Sequence, residues 1–397
     1  MPPHEEVHLT PAEKTFIERP AESTGGDGQS AGEVDSSADA LGFFTKRRLL
    51  QTGLIVTVLI VAIYVFIPKI ADLDSAFDLV GDADPLWLLL AVLCEAVAFG
   101  TYVALFRGVV GGDVLPLTWR EAYEINMAGL AATRLFAAGG AGGIALTYWA
   151  LRKAGMPRRQ SACRMVAFLA LQYIWYPLAL IVCGILLRTG VLPGESSVEV
   201  TIIPAAVAGV ILVLGILVAL IPHDFERRIG RFAQGHRRAG LARRLASGPA
   251  TMATGMRTAL DLVSHPSRGG LAITGAIGFW AAQIAILWCS FKAVGVTVPL
   301  GVIVQGFFLG MLANLFPFAP GGVGAVDAGM IGAFFLFGLP HEEVFAAVLA
   351  FRVIAFWLPI PPGIVAFFQL RRTVDRWEAE GRPAETDEAA VPAPAPS

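Results

Sequence analysis

Between residues 49 and 370 the chain is a succession of apolar stretches of about 19 residues or more, separated by short segments that hold most of its charges. Roughly 20 residues of α-helix cross a hydrocarbon core of about 30 Å. Lipid offers backbone groups no hydrogen-bonding partner, so segments at that depth must satisfy their own N–H and C=O groups, as a helix does. Composition agrees: 55% of residues are hydrophobic and 16% charged, against about 25% charged in soluble domains. The expected class is all-α, a polytopic helical membrane protein. The formal net charge of −2 carries no information about partners, whereas the distribution of charge along the chain does.

Cytoplasmic loops are enriched in Lys and Arg, which fixes orientation. Lys46, Arg47 and Arg48 precede a first span at 49–67, and Asp72, Asp74, Asp78, Asp82 and Asp84 follow it on the outer side. A second span at 86–106 returns to Arg107, Trp119 and Arg120. The apolar stretch 121–149 is interrupted by Ala138-Gly139-Gly140-Ala141-Gly142-Gly143 and ends in Arg152, Lys153, Arg158 and Arg159. Both of its ends are therefore inside, and it is expected to be a re-entrant helical hairpin. Spans at 161–187 and 201–221 lead to the longest loop, 222–268, whose arginines (Arg227, Arg228, Arg231, Arg237, Arg238, Arg243, Arg244, Arg257 and Arg268) place it in the cytoplasm. Orientation and contact with anionic lipid account for such a loop. A span at 269–291 runs outward. The stretch 300–337 is broken by Pro317, Pro320, Gly321, Gly322 and Gly324 and ends outside without Lys or Arg, and a last span at 344–370 ends inside at Arg371 and Arg372. The count is about six full spans plus two Gly/Pro-broken hairpins, with both termini cytoplasmic in the inner (plasma) membrane. Residues 1–44 and 373–397 are expected to be disordered tails flanking one transmembrane domain, 45–372.

The two broken stretches match each other. Phe136-Ala137-Ala138-Gly139-Gly140-Ala141-Gly142 and Phe318-Ala319-Pro320-Gly321-Gly322-Val323-Gly324 are identical at five of seven positions. Gly155-Met156-Pro157 and Gly338-Leu339-Pro340 follow at nearly the same distance, and each precedes an apolar span with an arginine, Arg164 and Arg352. Three spans, an odd number, separate the hairpins, so the copies form an inverted repeat. Transporters build midplane sites from such paired interrupted helices. A helix that restarts after a break presents free N–H groups and a dipole that attract anions. Close helix packing is the structural alternative for the glycines.

Charges at membrane depth cost at least about 2.5–3.5 kcal/mol each on insertion scales and normally have a partner or a task. Glu95, Arg134, Asp327 and Arg352 are such residues, and Asn314 precedes Pro317 in the second break. Arg164 sits where its side chain can snorkel to the interface. Arg134 and Arg352 are expected to face a cavity between the hairpins, where the planar guanidinium fork suits a phosphate. Asp327 or Glu95 would hold an arginine in the absence of substrate. The glycines Gly139, Gly140, Gly142, Gly321, Gly322 and Gly324 would supply the backbone N–H groups. Permanent ion pairs within the bundle are the alternative use of the same charges.

No cofactor, metal or nucleic acid is called for. The four cysteines, Cys94, Cys163, Cys183 and Cys289, lie far apart inside apolar segments with no CxxC spacing. None of the six histidines accompanies a membrane acid, and the chain has no nucleotide-binding loop, HExxH or GxSxG. The residues point to a flippase or transporter of an anionic lipid or lipid-linked intermediate. A lipid-headgroup enzyme using Glu95 and Asp327, and a membrane-embedded partner of a separately encoded transferase, are the other classes.

The run Asn314-Leu315-Phe316-Pro317-Phe318-Ala319-Pro320-Gly321-Gly322-Val323-Gly324-Ala325-Val326-Asp327, with Ala350-Phe351-Arg352 and Phe356-Trp357-Leu358-Pro359 after it, resembles the lysylphosphatidylglycerol synthase transmembrane region. The resemblance covers roughly residues 45–372. It implies an inner-membrane, flippase-like protein that translocates lipid or polyprenyl-linked material. The family usually has Glu where Asp327 stands, and Gly142-Gly143-Ile144-Ala145 replaces the Gly-Glu pattern that many members carry. No aminoacyl-transferase domain accompanies the spans in this sequence, so lysyl transfer is not expected of it.

Overall fold

A computed structural model describes residues 79–111, 115–135, 141–194, 197–221, 239–312 and 324–381. The expected first span at 49–67 and the head 1–44 lie outside them. All regular elements among the described residues are helical. They are α1 (Pro85–Val110), α2 (Trp119–Leu135), α3 (Ala141–Lys153), α4 (Arg158–Tyr173), α5 (Trp175–Arg188), α6 (Val198–Ala219), α7 (Ala239–Ser264), α8 (Pro266–Ala293), α9 (Leu300–Met311), α10 (Ala325–Leu336), α11 (His341–Arg352), a π-helical turn (Val353–Trp357) and α12 (Ile360–Ala379). Five stretches are long and apolar enough to cross a membrane: Pro85–Val110, Arg158–Arg188, Val198–Ala219, Pro266–Ala293 and His341–Ala379. α6 leaves Val207, Val210, Leu214 and Leu217 exposed along one face, as a helix bordering lipid does.

The backbone of the bundle is an antiparallel pair, α1 with α8. Asp84 caps α1 through the Leu86 N–H at 2.9 Å, and Pro85 at the first helical position needs no N–H partner there. The Asp84 N–H reaches the carbonyl of Ala293 at 2.9 Å, while Trp87 and Trp288 meet edge to face with centroids 5.3 Å apart. At the other end a Cβ on Gly108 would stand 2.5 Å from the Ala272 nitrogen, so the backbones touch there. Small residues at such crossings gain van der Waals contact that lipid cannot match.

Both interrupted stretches are helical hairpins. α2 and α3 close against each other at Gly129, where a Cβ would lie 2.6 Å from the Thr147 hydroxyl; α9 and α10 close at Gly310, where it would lie 2.6 Å from the Met330 Cα. The short arm of the first hairpin is α3, residues 141–153. Each bend falls outside the described residues, but both arms of each hairpin are described.

Three boundaries differ from the sequence expectation. The span expected at 161–187 is interrupted at Ile174, because Pro177 cannot donate to the Tyr173 carbonyl and α5 restarts at Trp175. Within the segment 222–268, expected to be a loop, residues 239–264 form α7. Ala250, Ala253, Ala259 and Leu262 are buried, and Gly255 rests on Val166 and the Cys163 carbonyl of α4. Arginine density hid a helix whose small residues face the bundle. Arg257 donates to the Ala219 carbonyl at 2.9 Å, satisfying the last turn of α6. Residues 373–379, expected to belong to a disordered tail, are instead the final turns of α12, with Thr373, Val374 and Trp377 buried.

The reason for that last difference is a polar clasp between α12 and α2. Glu124 is fully buried and accepts from the Thr373 hydroxyl at 2.6 Å and from Arg120 at 2.8 Å. Glu121 accepts from the Trp377 indole at 3.0 Å and from the Thr118 N–H at 2.8 Å. Gly363 permits the close approach that starts the pairing, since a Cβ there would meet the Met127 carbonyl at 2.8 Å. The chain's last helix and the first hairpin are thereby fastened together.

Candidate functional site

The site lies where the last membrane helix loses its regular hydrogen bonding. After Arg352 the chain makes one π turn, with the Leu358 N–H donating to the Val353 carbonyl at 3.1 Å. Prolines explain the break. The α-helical partner of the Ala355 carbonyl would be the N–H of residue 359, a proline; the π-helical partner of the Phe356 carbonyl would be that of residue 361, also a proline. Orphaned carbonyls at this depth need another donor. Arg134, in the last turn of α2, supplies it: one terminal nitrogen donates to the Phe356 carbonyl at 2.6 Å and the other to the Ala355 carbonyl at 3.0 Å. π turns of this kind concentrate at functional sites.

Arg352 closes α11 one turn earlier and is 5% exposed, too buried to reach water by snorkelling. Its Nε donates to Asp327 Oδ1. The other Asp327 oxygen accepts the Gly324 N–H at 2.9 Å. Asp327 therefore caps α10 and holds Arg352 at once. Gly324 takes φ 84°, a left-handed conformation that glycine adopts without strain. The guanidiniums of Arg134 and Arg352 each stand 5.1 Å from the centroid of the Phe356 ring, within cation–π range.

Glu95, in the middle of α1, is 1% exposed and accepts from the Gln283 amide of α8 at 3.0 Å. Arg134 lies within electrostatic reach of Glu95, Tyr102 and Arg352. Four charged side chains thus form one cluster, contributed by α1, by the end of α2, by the start of α10 and by α11. Of the glycines singled out in the sequence, Gly142 opens α3 and Gly324 caps α10, while Gly139, Gly140, Gly321 and Gly322, together with Asn314, lie outside the described residues. Arg164 donates to the Val109 carbonyl at 2.8 Å, satisfying the end of α1.

Sequence reasoning missed Phe356, Gln283 and the prolines' effect on the carbonyls before them. Gln283 was legible as a polar residue within an apolar span. The Pro359-Ile360-Pro361-Pro362 run in the last span announced a break. Aromatic rings carry the cluster onward: Phe351 meets Phe307 at 5.9 Å, and Phe307 and Phe308 meet Trp280 at 6.1 and 5.7 Å.

The fold and this cluster define a polytopic helical membrane protein whose interrupted helices converge on buried arginines. The chain belongs to the family described as the lysylphosphatidylglycerol synthase TM region, whose model matches residues 53–363. Stretches of it are 30% and 34% identical, over 91 and 87 residues, to two UPF0104 membrane proteins of Methanothermobacter thermautotrophicus. They cover 23% and 22% of this chain, and 26% of the relative in each case. A third, of 81 residues, is 28% identical to a phosphatidylglycerol lysyltransferase of Staphylococcus haemolyticus and covers 20% of this chain and 10% of that one. The aligned stretches span about a quarter of the archaeal relatives and a tenth of the staphylococcal one.

Proposed function

We propose that this protein is a flippase-like transporter of the plasma membrane, which binds the phosphate of an anionic lipid or lipid-linked intermediate at Arg134 and Arg352 and carries it across. The observation that supports this reading most is the shared ring. Two guanidiniums from different parts of the chain stand equally close to Phe356, each temporarily occupied, one by carbonyls and one by Asp327. A phosphate offers both a stronger, bidentate partner. Its arrival frees the Asp327 carboxylate and the two carbonyls, so binding is coupled to rearrangement of the π turn. The odd number of spans between the hairpins gives them opposite orientations, so that one opens to each side, with both termini in the cytoplasm. The name of the staphylococcal relative, a phosphatidylglycerol lysyltransferase, favours a glycerophospholipid headgroup.

The test is translocation of fluorescent phosphatidylglycerol in vesicles reconstituted with the full chain. Wild-type protein is expected to move it, and Arg352→Ala and Asp327→Asn to slow it strongly. An unmoved lipid across several anionic headgroups would replace this reading with that of a partner to a separate transferase. A covalently altered lipid would make the protein an enzyme.

A further inference from the structure

Glu95 is a buried acid that the binding scheme leaves without work. It lies mid-span on α1, is 1% exposed, and among the described residues its hydrogen-bond donor is a neutral amide, the Gln283 Nε2 at 3.0 Å. The charge that acts on it is Arg134, whose terminal nitrogens are committed to the Phe356 and Ala355 carbonyls at 2.6 and 3.0 Å. On the other elements packed against α1, Glu121 and Glu124 of α2 are engaged by α12, Arg164 of α4 is on the Val109 carbonyl, and Tyr173 meets Tyr176. The cations of α8, Arg268 and Lys292, stand near its two ends, Arg107 stands in the last turn of α1, and the phenol of Tyr102 is two turns further along α1. Arg352 acts on Arg134 from beyond Phe356.

An isolated carboxylate is costly in hydrocarbon and an adjacent guanidinium repays that cost. We infer that Glu95 is the proton-exchanging residue of the transport cycle, holding a proton while Arg134 is bound to the last helix and releasing it when Arg134 turns to Glu95. This rests on the transport reading above and adds its source of energy. When the π turn rearranges around a bound phosphate, its two carbonyls leave Arg134. The guanidinium, held on the phosphate through one edge, has one anionic neighbour on α1 for the N–H groups of its other edge. The Glu95 proton passes to water on whichever side is open, and the Glu95–Arg134 pair forms in its place. Reprotonation from the other side returns Arg134 to Ala355 and Phe356. One proton crosses per cycle.

Two measurements on the full chain test this. In lipid nanodiscs, infrared difference spectra taken on raising the pH are expected to show loss of a protonated carboxylic C=O band in wild type and its absence in Glu95→Gln. Gln283→Leu removes the amide donor and is expected to shift that band, which a proton on any other acid would not do. Identical bands in all three proteins would overturn the inference. In proteoliposomes containing fluorescent phosphatidylglycerol, an imposed pH gradient is expected to change the wild-type rate severalfold and to leave the Glu95→Gln rate unresponsive. Equal responses, or none in a wild type that does translocate, would overturn it too. A wild type that moves no lipid sinks the transport reading, while the infrared band still decides whether Glu95 binds a proton.

Discussion

Arg134 and Arg352, 218 positions apart in the chain, point their guanidiniums at one phenyl ring, each 5.1 Å from the centroid of Phe356. Like charges approach this closely at membrane depth only when each has its own counter-group. Here those are two carbonyls for Arg134 and the Asp327 carboxylate for Arg352. The first partner is neutral and the second is charged, so the two arginines do different things.

Arg134 is a structural donor in the resting arrangement. Arg134→Leu leaves the Ala355 and Phe356 carbonyls buried and unpaired, at about 1–3 kcal/mol each. The midpoint of detergent-induced unfolding should fall accordingly. Arg134→Lys should recover part of the loss, since one ammonium can reach one carbonyl but lacks the spread of the fork.

Arg352 is held by Asp327, which on the proposed function competes with the substrate. Asp327→Asn keeps an oxygen for the Gly324 N–H but removes the charge that opposes an anionic lipid. Binding of phosphatidylglycerol, read by tryptophan quenching with a brominated analogue, should tighten. A lost competition of about 1.4 kcal/mol corresponds to roughly tenfold. Turnover should fall at the same time, because release of the headgroup then has no internal anion to drive it.

Arg352→Lys keeps the charge and loses the planar fork. Translocation should drop well below wild type while thermal stability changes little, because the lysine can still pair with Asp327. Unchanged translocation would mean that charge alone is recognised.

The clasp between α2 and α12 is a stability element. Thr373→Val deprives the Glu124 carboxylate of a 2.6 Å donor in a fully buried setting and should cost about 1–3 kcal/mol. Combined with Trp377→Phe, which deprives Glu121 of the indole donor at 3.0 Å, the losses should depart from additivity, since 373 and 377 lie one turn apart in one clasp. Chemical unfolding of the single and double variants measures both.

How much of this was legible beforehand divides along physical lines. Spans were legible because lipid imposes one length and one composition, and the two hairpins because Gly-Gly runs interrupt apolar sequence in matching places. Burial of Arg352 followed from its depth in the last span. The rest depended on tertiary contact. Nothing in the sequence pairs Arg134 with carbonyls more than 220 residues away. The helix at 239–264 was hidden because positive charge marks the side of a loop and says nothing about its backbone. Trp377 and Thr373 looked like tail residues because their partners, Glu121 and Glu124, sit on another helix, and a buried carboxylate is unremarkable in sequence until its donor is known.

An inverted repeat requires the two hairpins to enter from opposite faces. Lys153→Cys, at the end of α3, and Glu342→Cys, at the start of α11, place a single reactive thiol beside each hairpin in a background with the four native cysteines replaced. In intact cells a membrane-impermeant maleimide should label Glu342→Cys and leave Lys153→Cys unlabelled until the cells are opened. Labelling of both from the same side would remove the inverted arrangement and the transport reading with it.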